Sequence, residues 1–238
     1  MSTYQFVVAD DREDLIDRAS HWLVQVLRDA LAQSDRVRFA ISGGRTPEPV
    51  YGAMGSMPLP WERVDLLLGD ERWVPVDDPA SNGGMVQRSL LAAEPGCRAT
   101  LHQVPTDLPT PTAAASRYDG ILRQLSGSTP PWLDLALLGL GDDGHTASLF
   151  PGTAAVQERE ALVTTGVGKG LARITLTAPC LSSARQVAFL ISGGAKAQAL
   201  RRLLDPDEDP LRTPACLIRP ATAVTLLLDR AAAEAIDA

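Results

Sequence analysis

Residues 133–152 read Leu-Asp-Leu-Ala-Leu-Leu-Gly-Leu-Gly-Asp-Asp-Gly-His-Thr-Ala-Ser-Leu-Phe-Pro-Gly. The apolar run Leu133 to Leu138 predicts a buried strand that runs into a glycine-rich turn. That turn presents Asp143 and His145 at a strand end, where open α/β sheets bind their ligands. Histidine suits general acid/base work near neutral pH, so the turn is a candidate reaction centre. Gly139, Gly141 and Gly144 also satisfy G-x-G-x-x-G, the dinucleotide fingerprint. That fingerprint needs a helix after its third glycine, and Pro151-Gly152 leaves room for two turns at most. It also needs an acid closing a second strand, yet Glu158 and Glu160 precede the next apolar run, Ala161 to Val163. The match is therefore read as coincidental, with no nicotinamide cofactor expected.

Working outward, further apolar runs occur at Val37 to Ile41, Val64 to Leu68, Val187 to Ile191 and Val224 to Leu228. They do not alternate, as expected of strands covered on both faces. Helical patterns separate them. Asp11 to Gln33 places Leu15, Ala19, Leu23, Leu27 and Leu31 on one stripe, and Asn82 to Leu91, Thr112 to Leu125 and Ala195 to Leu204 are shorter candidates. The alternation predicts an α/β fold with a modified Rossmann-type, doubly wound, mostly parallel sheet and helices on both faces. Arg173 to Thr177 alternates with period two and predicts an extra strand, antiparallel to the rest.

Residues 1–238 are expected to form one domain, since no linker divides the chain. It is 45% hydrophobic, enough to bury a full core. No apolar run reaches the length of a membrane span. The first residues lack the basic and apolar regions of a secretory signal. Cys97, Cys180 and Cys216 are scattered, which fits reduced thiols in a cytoplasmic protein and shows no zinc spacing. The net charge of -7 argues against a nucleic-acid partner. An anionic ligand needs a local cluster of Arg and Lys against that background.

Three more segments carry candidate chemistry. Ser42-Gly43-Gly44-Arg45-Thr46-Pro47 follows a strand, with Thr46 as expected N-cap and Pro47 in the first turn of a helix. A helix start behind glycines is an anion site, although a tight turn without a ligand has the same composition. The echo Ser192-Gly193-Gly194-Ala195-Lys196 puts a lysine in an opening helical turn. Nearby phosphate would offset its unfavourable place in the helix dipole; the alternative is a solvated lysine. Gly69-Asp70-Glu71-Arg72-Trp73 sets three charges beside a buried strand end, costly unless used or paired. Arg72 is the candidate phosphate donor, with Asp70 or Glu71 positioning it or a water, and Ser81-Asn82 is read as the cap of the next helix. Of the three histidines, His21 and His102 lack a comparable glycine-rich context.

Together these segments resemble the 6-phosphogluconolactonase family. The resemblance rests on Ser42-Gly43-Gly44-x-Thr46-Pro47, Gly69 to Pro75 with Ser81-Asn82, and Gly139 to Gly152, along with Arg173 to Thr177 and Gly193-Gly194-x-Lys196. It implies metal-independent hydrolysis of a small-molecule sugar-phosphate lactone, 6-phospho-D-glucono-1,5-lactone, in the pentose phosphate pathway. His145 is then the general base, with Asp143 orienting either the imidazole or its loop. Ser42, Gly43, Gly44, Thr46, Asp70, Arg72, Arg173 and Lys196 bind the substrate and its phosphate. The family's Lys-Pro-Pro type loop is here Gly166-Val167-Gly168-Lys169-Gly170-Leu171-Ala172, whose glycines predict a mobile lid. Two rivals use the same scaffold. A glucosamine-6-phosphate deaminase needs an acid before the motif's proline, where this chain has Phe150. A sugar-phosphate sensor needs a DNA-binding segment, and no separate basic module occurs.

Overall fold

The computed structural model describes residues 3–127 and 129–234. The chain runs β1 (Tyr4–Ala9), α1 (Arg12–Leu31), β2 (Val37–Ile41), α2 (Pro47–Gly55), β3 (Val64–Leu68), β4 (Asp70–Arg72), α3 (Asn82–Arg88), β5 (Thr100–His102) and α4 (Pro111–Ser126). It continues β6 (Leu135–Gly139), β7 (Val163–Gly168), β8 (Leu171–Leu176), α5 (Ala178–Ser182), β9 (Gln186–Ile191), α6 (Ala197–Leu204), β10 (Val224–Asp229) and α7 (Arg230–Ala233).

Seven parallel strands form the central sheet in the order β1-β10-β9-β6-β2-β3-β5. β3 and β10 are buried along their whole length, the physical reason their sequences are predominantly apolar and do not alternate. From β2 the chain winds outward through β3 and β5. It then returns to β6, against the other side of β2, and winds the opposite way through β9 and β10. The order reverses between β2 and β6, so the connections leaving them diverge and open a crevice at their carboxyl ends.

α1 shows how a helix is specified here. Asp11 caps it, accepting from Glu13 N and Asp14 N, and Leu15, Ala19, Leu23, Leu27 and Leu31 recur every fourth residue on its buried face. Two buried tyrosines then secure strand ends. The Tyr51 hydroxyl of α2 accepts from Ser42 N and donates to Ser42 O, at 3.0 and 2.9 Å. The Tyr118 hydroxyl of α4 accepts from Leu68 N at 2.7 Å. Each bonds a peptide group where the chain leaves the ladder, which would otherwise be a buried loss.

Several expectations are revised. Arg173 to Thr177 does fall in an antiparallel strand, but β8 lies outside the main sheet, at the centre of a small sheet ordered β4-β8-β7. The charged triplet Asp70–Arg72 is itself a strand, paired with β8. The segment expected to be a mobile lid is a β-hairpin of β7 and β8, closed by Lys169 and Gly170. Both have positive φ, +54° and +79°, the two-residue turn that matches strand twist. β1 joins the sheet edge through β10 alone, with Phe6 and Val8 exposed. Past Gly144 no α-helix forms before α5, so the glycine triplet is not a dinucleotide turn. No helix among the described residues is long and apolar enough to cross a membrane.

Candidate active site

Four neighbouring strand ends and the hairpin enclose a cavity of about 250 Å³. The loop after β2 contributes Ser42, Gly43, Gly44 and Thr46. The chain after β3 contributes Asp70 and Arg72, with Asn82 from the start of α3. The loop after β6 supplies Asp142, His145, Ala147 and Phe150; the loop after β9 supplies Ser192 and Lys196. Lys169 and Arg173 reach in from the hairpin. Of the residues expected from sequence, Asp143 and Glu71 do not line this cavity; Asp143 stands behind His145.

His145 is held from several sides. Its Nδ1 lies 2.5 Å from Asp143 Oδ1, and its backbone N donates to the same oxygen at 3.1 Å. With Nδ1–H directed at the carboxylate, Nε2 keeps its lone pair for the cavity. Burial raises the Asp143 carboxyl, but hydrogen bonds from the His145 ring and backbone outweigh it and hold the group below the usual carboxylate range. Gly141 makes room for the ring, since a Cβ there would fall 1.9 Å from Nδ1. Gly141 N also donates to His145 O at 2.8 Å, closing the turn. Ala147, two residues on, adopts φ +48°, a strained conformation for a residue with a side chain.

The charges after β3 separate into two roles. Glu71 is buried and faces away from the cavity, accepting from Arg72 N, Asn82 N, Gly83 N and Ser81 Oγ at 2.8–2.9 Å. Burial raises its carboxyl against those bonds. Together with the Ser81 cap, which accepts from Gly84 N, it secures the start of α3. Asp70 faces the cavity and joins three elements. Its Oδ2 accepts from Ser148 Oγ at 2.5 Å and lies 3.5 Å from Arg173 Nη1, while Oδ1 accepts from Asn82 Nδ2 at 3.2 Å. Arg173 is buried, which lowers its guanidinium pKa, and Asp70 opposes that shift. Arg72 Nη1 donates to Ala80 O and Asn82 Oδ1 at 2.6 and 2.7 Å. Arg72 Nε and Ser42 Oγ are buried without a partner. Buried polar groups are rarely left so, and both belong to cavity-lining residues.

Two local expectations change. Thr46 lines the cavity but is no cap: it is already helical, at φ -80° and ψ -48°, and its side chain makes no capping bond. The preceding turn places Gly44 O to accept from Glu48 N, so the helix effectively begins earlier. Lys196 lies in a short 3-10 turn before α6, not in the α-helix itself. Its ammonium pairs with Asp142 Oδ1 at 2.5 Å. Sequence reasoning passed over Asn82, Asp142 and Ser192 as site residues, although Asp142 sits inside the glycine motif and Ser192 inside the echo. Four cations and two carboxylates line the cavity of a chain whose net charge is -7. Among the described residues no three His, Cys, Asp or Glu side chains converge as a metal ligand set.

A family model described as glucosamine-6-phosphate isomerases/6-phosphogluconolactonase matches residues 10–227. The chain belongs to this family. Among its relatives, the 6-phosphogluconolactonase of Synechocystis sp. is 39% identical over 233 residues, 97% of each chain. The human 6-phosphogluconolactonase is 38% identical over 181 residues, covering 74% of this chain and 69% of its own. Among solved structures of the family, the Trypanosoma cruzi 6-phosphogluconolactonase superposes with a TM-score of 0.86 at 27% identity, over 98% of this chain and 97% of that one. The Shewanella baltica enzyme gives 0.85 at 26% identity, over 96% and 98%. The doubly wound α/β fold is therefore the family's own.

Proposed function

We propose that this protein hydrolyses 6-phospho-D-glucono-1,5-lactone to 6-phosphogluconate, a step of the pentose phosphate pathway, without a metal. The observation that carries the reading is one cavity lined by His145, its Nδ1 engaged by Asp143, together with Arg72, Lys169, Arg173 and Lys196. A base and an anion-binding set at one site are what a phosphorylated, hydrolysable substrate requires. Family membership and relatives that are 6-phosphogluconolactonases support the same substrate.

His145 Nε2 accepts a proton as water adds to the lactone carbonyl. A carbon–oxygen bond forms, and the carbonyl oxygen becomes an oxyanion. Gly43 and Gly44 line the cavity after β2, and their backbone N–H groups are the candidates to stabilise that charge. The ring carbon–oxygen bond then breaks, and the imidazolium returns its proton to the leaving ring oxygen. Asp143 keeps the tautomer and stabilises the imidazolium. The phosphate binds among the cations, and its binding energy orients the carbonyl. Phe150 stands where the deaminase branch of the family needs an acid.

The test is a coupled or pH-stat assay on freshly made lactone, with the spontaneous rate subtracted. His145→Ala should lower kcat about 10²- to 10⁴-fold with folding intact. The wild-type rate should fall in acid, because an imidazolium has no lone pair to accept a proton. A variant retaining most of the activity removes His145 from the mechanism. Dialysis against a strong chelator should leave the rate unchanged; loss on chelation, restored by one metal, contradicts metal independence.

A further inference from the structure

Phe150 is buried in the wall of this cavity, and its ring stacks on the imidazole of His145. The ring centroids are 4.4 Å apart and the planes 28° from parallel. The guanidinium of Arg173 lies 5.4 Å from the same centroid. At the end of β7, Gly168 packs so closely on Phe150 that a Cβ there would fall 2.1 Å from Cε2.

These contacts answer a mechanical need. The outer side-chain torsion of histidine joins sp³ to sp² carbon and is soft, so the ring plane is not set by the residue itself. The Asp143 bond anchors one ring atom and leaves the plane free to swing about that anchor. Gly141 bounds the edge near Nδ1 but not the face. A flat aromatic surface against the imidazole face removes the remaining freedom, since aromatic rings keep defined stacking geometries. The ring that does this is itself placed by β7 and β8, through Gly168 and Arg173.

We propose that Phe150 is a positioning residue: it sets the plane of the His145 imidazole and ties it to the position of the β7–β8 hairpin. The proposal rests on His145 acting as the base. Phe150 touches neither the water nor the leaving oxygen in this mechanism, so its effect on proton transfer passes through His145.

That dependence gives the experiment. Kinetics on the phosphorylated lactone are measured for wild type, Phe150→Leu, His145→Ala and the double variant, with thermal unfolding of each. Phe150→Leu should lower kcat about 10- to 100-fold, the scale of loss for a slightly misplaced catalytic group. KM should change less than kcat, because Phe150 meets the phosphate-binding set only through its face contact with Arg173. In the His145→Ala background the same change should alter kcat by less than about twofold, since residues acting as one unit are not additive. Gly168→Ala leaves Phe150 in place and crowds its ring. The φ of Gly168 is not positive, so the substitution adds no left-handed backbone strain to the push on the ring. It should reproduce the kcat loss and its disappearance without His145, and it carries the cycle if Phe150→Leu does not fold. Equal kcat losses with and without His145 would make Phe150 merely structural and overturn the proposal. So would a wild-type kcat in Phe150→Leu or, where that variant does not fold, in Gly168→Ala. Those outcomes leave the base assignment standing if His145→Ala is inactive. An active His145→Ala removes the base, and the proposal with it.

Discussion

Arg72 combines two jobs that sequence reasoning treated as one. Its Nη1 braces Ala80 and Asn82, while its Nε is buried without a partner in a residue that lines the cavity. If the phosphate takes the remaining donors, Arg72→Ala should cost about 1.5–3 kcal/mol in kcat/KM, the range for hydrogen bonds to charged groups. The loss should fall on the phosphorylated lactone and largely spare unphosphorylated gluconolactone. The decisive quantity is the ratio of kcat/KM for the two substrates in wild type and variant. An unchanged ratio means that Arg72 does not read the phosphate. The candidacy of Arg72 was legible because three charges beside an apolar strand demand an explanation. The division of labour was not. It depends on α3, ten residues downstream, folding back so that Glu71 serves the helix and Asp70 the cavity.

At the scale of elements, the hairpin is where local preference and site geometry disagree. Its two-residue turn needs positive φ at both central positions. Gly170 adopts it freely, but Lys169 does so against the steric preference of any side chain. The same residue brings an ammonium to the cavity wall. Asparagine tolerates that backbone better. Lys169→Asn should therefore raise the unfolding free energy by up to about 1 kcal/mol while weakening turnover of the phosphorylated lactone. Urea unfolding and steady-state kinetics on one preparation check both halves. A variant that loses both stability and activity would mean that the lysine supports the hairpin itself. The glycines around Lys169 were visible in the sequence and were read as mobility. They serve a tight turn and the close approach of β7 to Phe150, which only the pairing with β8 reveals.

For the whole molecule, the end of the sheet opposite the site holds its own charge network. Asp65, in β3, accepts from Arg36 Nε and Nη2 at 2.8 and 2.9 Å, and its Oδ1 lies 2.8 Å from His102 Nε2. Burial raises this carboxyl, but the Arg36 and His102 bonds outweigh it and hold it below the usual range. Its folded pKa is thus depressed relative to the unfolded chain. Its contribution to stability is full above the unfolded carboxylate pKa of about 4 and is lost as pH falls through the lower folded value. Thermal unfolding of wild type and Asp65→Asn should differ most near neutrality and converge in acid. A difference independent of pH would mean that the ion pair is not the source. His102 thus acts in a structural network remote from the cavity.

The sequence by itself marked β2, β3, β6, β9 and β10 as buried strands, because a strand covered on both faces is predominantly apolar and does not alternate. It also argued against a dinucleotide turn at the glycine motif after Leu138, because Pro151-Gly152 leaves room for two helical turns at most and no acid closes the next strand. It marked His145 among three histidines by its setting. Tertiary structure decided what those segments do together. β2 and β6 are neighbours although more than 90 residues separate them, and that adjacency creates the crevice. The triplet Asp70–Arg72 is a strand only because β8 offers it a partner. Lys196 meets Asp142, and Phe150 meets Arg173, across distances in sequence that no periodicity encodes. Periodicity records how each residue meets its own element's surface. Which surfaces meet is decided when the sheet closes its order and the loops are packed against one another.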